Sequence, residues 1–245
     1  MLEKLADIMA NCTEGAVLTG AGISAESGVP TFRGKEGLWG KFRPEQLATM
    51  EAFIASPDIV WEWYNWRREL IAEVKPNPGH FALCDMESSF DRFTLITQNV
   101  DNLHRLAGST EVLELHGNIY HSKCCDCNVA VDLDADVDPA AIPSCEKCGG
   151  QIRPDVVWFG EMLSAEVIHD AFRAAERAQV FLSIGTSGLV HPAASLPLVA
   201  KQHGATLVEI NPDRTPLSDI ADYYFAAKSG ELLPELVSLI KERTK

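Results

Sequence analysis

Apolar residues recur along this chain in two alternating rhythms. Leu2, Leu5, Ile8 and Met9 fall on one face at helical spacing, which predicts an opening helix. Gly15-Ala16-Val17-Leu18-Thr19 is a continuous apolar run closed by glycines, and it predicts a short buried strand. The same criteria predict strands at 93–97, 112–115, 180–184 and 206–210. They predict helices at 60–74, 165–178, 192–203 and 232–243. Continuous apolar strands alternating with helices imply an α/β fold whose parallel sheet is covered on both faces. Two stretches break the rhythm, at 34–77 and 120–156. They read as insertions that together build a smaller domain, leaving 1–33, 78–119 and 157–245 as the larger one.

Composition changes this picture little. The 245 residues are 46% hydrophobic and 23% charged, enough to bury a core without staples. The net charge of −14 argues against direct nucleic-acid binding, and no apolar run reaches the length of a membrane span. Met1-Leu2-Glu3-Lys4 opens a mixed-charge amphipathic segment rather than a leader, so the expectation is a soluble, cytoplasmic protein. The seven cysteines are odd in number, which does not suit a disulfide framework.

Five of those cysteines crowd into 25 residues. Cys124-x-x-Cys127 and Cys145-x-x-Cys148, seventeen residues apart, have the spacing of a four-thiolate zinc site. Four thiolates leave no open coordination position, so such a zinc is structural; free thiols or a redox pair are the alternative. Cys125 reads as a bystander, and Cys12 and Cys84, in helical patterns, as core residues.

Gly20-Ala21-Gly22-Ile23-Ser24-Ala25 follows the first strand and fits G-x-G-x-x-G/A. In that pattern, glycines let the backbone approach a pyrophosphate. A plain tight turn would look the same. The second strand and acidic residue that a hydride-transfer enzyme shows next are missing. Other strands end in Thr97-Gln98-Asn99, His116-Gly117, Gly185-Thr186-Ser187 and Asn211. Turn-formers at strand ends explain any one of these, but a ligand crevice at the carboxyl edge explains all together. Among the histidines, periodicity alone does not choose between His116 and His104.

Taken together these motifs resemble the sirtuin family across nearly the whole chain. Residues 20–34, from Gly20 through Phe32-Arg33-Gly34, resemble its first signature, and Thr97 to His104 its second. Leu115-His116-Gly117 resembles the catalytic histidine motif, and Val157-Trp158-Phe159-Gly160-Glu161 the substrate-binding loop. The resemblance implies a Rossmann-like parallel sheet with helices on both faces. Beside it would sit a small domain of a zinc ribbon and a helical module.

The activity implied is NAD-dependent removal of acyl groups from protein lysine. Its products are free lysine, nicotinamide and 2′-O-acyl-ADP-ribose. NAD is the implied co-substrate, one structural Zn²⁺ the implied metal, and acyl-lysine proteins or peptides the implied partners. His116 would be the general base on the ribose hydroxyls, while Asn99 and Asp101 would orient the nicotinamide amide and a water. The implied cofactor contacts come from three stretches. The first holds Gly20, Ala21, Gly22, Ile23, Ser24, Glu26, Thr31, Phe32, Arg33 and Trp39. The second holds Gln98, Asn99, Val100 and Asp101, and the last Gly185, Thr186, Ser187, Asn211, Pro212, Asp213 and Ser229. A peptide would lie as an added strand against Val157 to Gly160. Mono-ADP-ribosyl transfer by the same NAD cleavage is a competing activity. A non-catalytic NAD or ADP-ribose sensor is a competing class.

The helix at Trp61-Glu62-Trp63-Tyr64-Asn65-Trp66-Arg67-Arg68 bears on the acyl group. Tyr64 and Arg67, three apart, share a helix face. Periodicity alone reads this stretch as a buried aromatic face with solvated arginines. The Tyr-x-x-Arg pair, however, resembles the one that marks desuccinylase sirtuins. It implies a pocket for the carboxylate of succinyl- or malonyl-lysine, alongside acetyl-lysine.

Overall fold

The structure is a computed structural model that describes residues 1–32, 37–40, 43–133 and 137–244. Its first elements are α1 (Leu2–Met9), β1 (Glu14–Thr19) and α2 (Ala21–Ala25). Then come the helices α3 (Pro44–Leu47), α4 (Met50–Ala55), α5 (Pro57–Ala72) and α6 (Pro78–Glu87). They are followed by β2 (Arg92–Thr97), α7 (Leu103–Leu106), β3 (Val112–Glu114), β4 (Gly117–Cys124), β5 (Ala130–Val131) and β6 (Ile152–Val156). The chain closes with α8 (Ala165–Arg177), β7 (Val180–Ile184), α9 (Leu196–Gln202), β8 (Thr206–Ile210), β9 (Tyr223–Phe225) and α10 (Ser229–Arg243).

Six strands form one sheet in the order β3-β2-β1-β7-β8-β9, and every pairing is parallel. The chain winds outward from β1 to β2 and β3, then returns to the other side of β1 for β7, β8 and β9. The strand order therefore reverses between β1 and β7. At such a switch point the two flanking connections leave in opposite directions and open a crevice at the carboxyl edge.

Side-chain alternation along the strands supplies two cores. Val17, Leu95, Leu182 and Val208 meet Leu5 and Met9 of α1, Leu83 and Met86 of α6, and Leu233, Leu236 and Ile240 of α10. On the other face Ala16, Leu18, Phe181 and Leu207 meet Ala171, Ala174 and Ala175 of α8 and Leu196 and Ala200 of α9. The predicted α/β fold with helices on both faces is observed.

A third core joins the two stretches that break the rhythm, together with Val29, Val100, Leu103, Ile119 and Trp158 from the segments beside them. Phe53, Trp61, Trp63 and Tyr64 of α4 and α5 pack with Ile119, Cys124, Cys145, Ile152 and Trp158. Here β5, β4 and β6 form an antiparallel sheet, which begins at Gly117. Gly117 holds φ +78, and a Cβ there would meet the Asp155 carbonyl oxygen at 2.1 Å. Only glycine lets the chain turn there from the His116 strand end into the second sheet.

Several sequence expectations need correction. The parallel sheet carries a sixth strand, β9, beyond the five that the apolar pattern predicts. The closing helix starts at Ser229, and the helix expected over 192–203 is a 3₁₀ turn, Ala193–Ser195, followed by α9. Cys12 lies just past α1 rather than in a helix. Arg67 and Arg68, read from periodicity as solvated, are both buried. Among the described residues no helix is long and apolar enough to cross a membrane.

Candidate active site and metal centre

The crevice at the switch point deepens into a cavity of about 870 Å³ that runs from the edge of the parallel sheet to helix α5. This is in the upper range of ligand pockets. Its floor is where β1 and β7 end. Gly20 donates its N–H to the Ile184 carbonyl at 3.0 Å, and Gly22 to that of Gly185 at 2.8 Å. A Cβ on Gly22 would sit 2.6 Å from the Gly185 Cα, so the two loops approach this closely only because both residues are glycine.

Polar side chains line the walls and brace each other. Gln98 donates to the Thr186 hydroxyl at 3.0 Å, and the Asn211 amide to the Thr186 carbonyl at 2.9 Å. The Asn99 amide donates to the Gly20 carbonyl at 3.0 Å and to the Ser24 hydroxyl at 3.1 Å. Ser229 donates to Glu26 at 2.5 Å, and Glu26 also accepts from the Gly230 N–H at the start of α10.

His116 also lines the cavity. Its Nδ1 lies 2.9 Å from the Gln98 carbonyl oxygen. A carbonyl can only accept, so Nδ1 carries the proton and Nε2 keeps its lone pair. Burial lowers the His116 pKa, partly offset by that carbonyl, so the ring is neutral near pH 7. His104 is placed differently. It is 2% exposed, its Nε2 is 2.9 Å from the Thr19 hydroxyl, and its ring is 4.8 Å from that of His80. It is packed behind the strand ends and does not line the cavity.

Most residues expected at a cofactor site do line this cavity: Gly20, Ala21, Gly22, Glu26, Thr31, Phe32, Gln98, Asn99, Val100, Gly185, Thr186, Ser187, Asn211, Pro212, Asp213 and Ser229. Ile23 instead faces the core, and Ser24 lies behind Asn99. Asp101 is buried beside them, its carboxylate accepting from the Leu103 N–H at 3.0 Å. Burial pushes the Asp101 carboxyl above the usual range, against hydrogen bonds and the charge of Arg67. Arg33 lies outside the described residues, as does the side chain of Trp39. Sequence reasoning stopped short at Asp213: the wall continues through Arg214, Thr215 and Pro216. The turn-formers around that loop were the available signal.

At the α5 end the cavity is lined by Trp63, Tyr64, Arg67 and Val157 to Glu161. The Arg67 guanidinium sits 4.8 Å from the Phe32 ring centroid and 4.9 Å from that of Trp63. Burial lowers its pKa, and among the described residues it has no carboxylate at ion-pair distance. The Tyr64 hydroxyl accepts from the Trp158 indole N–H at 2.8 Å. Val157 and Phe159 donate their N–H groups to the carbonyls of His116 and Ala48, each at 2.9 Å, and Trp158 donates to Glu161 at 2.8 Å. An added strand here would thus find those three N–H groups already engaged.

The four cysteine sulfurs of the ribbon lie within 4.8 Å of one another. Cys124 and Cys148 are 3.4 Å apart, and Cys127 and Cys145 3.8 Å. A tetrahedral zinc with bonds of about 2.3 Å sets its sulfurs about 3.8 Å apart, so the cage fits that ion. The Asp126 N–H points at Cys124 Sγ at 3.4 Å, as a knuckle turn provides.

Comparison with known proteins extends this picture. A profile of the Sir2 family matches residues 20–192. An NAD-dependent protein deacylase of Aquifex aeolicus is 53% identical over 227 residues, covering 92% of this chain and 95% of its own. A solved Sir2 homologue mutant bound to ADP-ribose superposes with a TM-score of 0.94 at 48% identity, covering 99% of this chain and 97% of that one. A Sir2 homologue in complex with NAD gives 0.92 at 47% identity, covering 99% and 95%.

Proposed function

The chain belongs to the Sir2 family, and on that footing we propose how its cavity divides the work of catalysis. The protein is an NAD-dependent protein-lysine deacylase. It releases lysine and nicotinamide and passes the acyl group to ADP-ribose. One structural zinc is held by Cys124, Cys127, Cys145 and Cys148. The two inserts at 34–77 and 120–156, which share a core, form the small domain, and 1–33, 78–119 and 157–245 form the NAD-binding one.

NAD supplies a ribose carbon from which nicotinamide can leave and hydroxyls that take up the acyl group. The glycine floor at Gly20, Gly22 and Gly185 would admit its pyrophosphate closely, and Thr186, Ser187 and Asn211, which line the same cavity, would hold the adenosine side. Asn99, whose amide is fixed by Gly20 and Ser24, offers its carbonyl oxygen at the nicotinamide end, with Asp101 behind it. His116 is the base. Its Nδ1–H is spent on Gln98, so the Nε2 lone pair is available to take a ribose hydroxyl proton. Positioning an acyl oxygen against the ribose does the remaining work.

The pocket accepts succinyl- and malonyl-lysine in preference to acetyl-lysine. One observation carries this: a buried Arg67 cation lines the acyl end with no carboxylate at ion-pair distance among the described residues, the buried Asp101 acting on it only from further off. A buried charge is costly unless paired, and an acyl carboxylate pairs it. Four cysteines committed to zinc and three more outside any disulfide suit a reducing, cytoplasmic setting. Initial rates with acetyl-, malonyl- and succinyl-lysine peptides plus NAD test the reading. A kcat/KM that favours acetyl-lysine overturns it.

A further inference from the structure

We infer that Arg153 is a positioning residue for acyl choice: through Glu161 and Trp158 it turns the hydroxyl proton of Tyr64 toward the acyl end of the cavity. The inference rests on the acyl reading above and deepens it.

Arg153 lies on β6, outside the cavity lining, and is only 1% exposed. A guanidinium so buried must have its donors matched, and four of its five N–H groups are. Nη1 and Nη2 grip both oxygens of Glu161, Nη2 also donates to the Val156 carbonyl at 2.7 Å, and Nε donates to the Pro154 carbonyl at 3.3 Å. The guanidinium carbon lies 3.4 Å from the Trp158 ring centroid. Glu161 in turn accepts the Trp158 backbone N–H at 2.8 Å. Trp158 is therefore held twice, by its ring and by its backbone, and Phe53 packs 5.4 Å away by ring centroids.

An indole fixed in this way has one place to send its N–H, and that is the Tyr64 oxygen at 2.8 Å. A phenol that accepts one N–H bond keeps its own proton for another partner. Among the described residues the Tyr64 hydroxyl has no such acceptor, although it is 1% exposed and lines the cavity beside Arg67. The proton is thus reserved for an acceptor that enters the cavity, and the carboxylate of a succinyl or malonyl group is one. Acetyl-lysine ends in a methyl and cannot use it.

A double-mutant cycle tests this. KM and kcat are measured for succinyl- and acetyl-lysine peptides with NAD in Trp158→Phe, Tyr64→Phe and the double variant. Trp158→Phe keeps an aromatic ring and deletes the N–H. It is expected to raise KM for the succinyl peptide relative to the acetyl peptide by roughly 3- to 10-fold, the size of one neutral hydrogen bond. In the Tyr64→Phe background it should change that ratio no further. The charge-free pair Arg153→Met/Glu161→Gln should lower succinyl preference in the same direction, with zinc content and thermal unfolding as checks on folding. An unchanged ratio in Trp158→Phe, or an equal loss for both acyl groups, overturns the inference if Tyr64→Phe does lower succinyl preference. An unchanged ratio in Tyr64→Phe, or in the Arg153/Glu161 pair when it is folded, overturns the inference as well; the acyl reading fails separately, if the unaltered protein shows no succinyl preference or Arg67→Met leaves that preference intact.

Discussion

Replacing Arg67 by methionine separates a ligand-binding cation from a structural one. The substitution keeps a long apolar stem against Phe32 and Trp63 and removes the guanidinium. A charged hydrogen-bonded contact contributes about 1.5–3 kcal/mol. Its loss should raise KM for succinyl-lysine peptide by roughly 10- to 100-fold and leave acetyl-lysine peptide nearly unaffected. Stability should respond differently. Arg67 has no ion pair among the described residues, and burial already disfavours its charge. Losing the charge therefore relieves a desolvation cost while the aromatic contacts lose a little, and the midpoint of thermal unfolding should stay within about 4 °C, roughly 1 kcal/mol in a domain of this size. The neighbouring Arg68 is the contrast. Its Nε donates to the Ile119 carbonyl at 2.7 Å, tying α5 to β4. Arg68→Met strands that carbonyl and should cost about 1–3 kcal/mol of stability while the acyl preference of the folded fraction is kept. Peptide kinetics beside calorimetry for both variants decide the matter. Equal losses on both acyl groups, or a collapse in the unfolding temperature of Arg67→Met, would show that the residue is structural.

Three further outcomes are expected. Cys145→Ser should lose its zinc and unfold or aggregate the β5-β4-β6 sheet; metal analysis with unchanged folding and activity would count against a structural zinc. His116→Ala should cut deacylation by about 10²-fold or more with NAD binding largely retained, and in the native protein the acid limb of kcat/KM should fall below the ordinary histidine value near 6.5, because burial lowers this pKa and the neutral ring is the active form. Burial also takes His80 from 6.5 to about 4, so the folded state excludes a proton that the unfolded chain accepts; the His80 contribution to stability should be full above pH 6.5 and drop by about 3 kcal/mol as pH falls to 4, and His80→Gln, which can still cap α6, should reduce the slope in pH-dependent melting while the buried His104 keeps the rest.

The parallel sheet is legible because its central strands are continuous apolar runs ending in glycine or polar turn-formers; Val156 to Gly160 shows the same pattern and lies outside that sheet. The zinc cage was legible from spacing alone. The edge strand β9 was not, since Tyr223–Phe225 is too short to show a period. Buried arginines are hidden from the sequence for a different reason. On periodicity Arg67 and Arg68 look like a solvated helix face, and nothing local in the sequence reports the aromatic rings, carbonyls and carboxylates that bury them and Arg153. The pairing of Glu26 with Ser229, across 203 residues, was equally invisible. Both line the cavity as the resemblance implies, and their mutual hydrogen bond at the start of α10 is an addition that only the fold reveals.

The central claim is that acyl removal and NAD cleavage are one event served by His116. Mass spectrometry of a reaction containing acyl-lysine peptide and NAD can count all three products. The account expects deacylated peptide, nicotinamide and acyl-ADP-ribose in equal amounts, none without NAD and almost none from His116→Ala. Deacylated peptide formed with a free carboxylic acid and no nicotinamide would contradict it, as would ADP-ribose accumulating on protein while the acyl group stays on lysine.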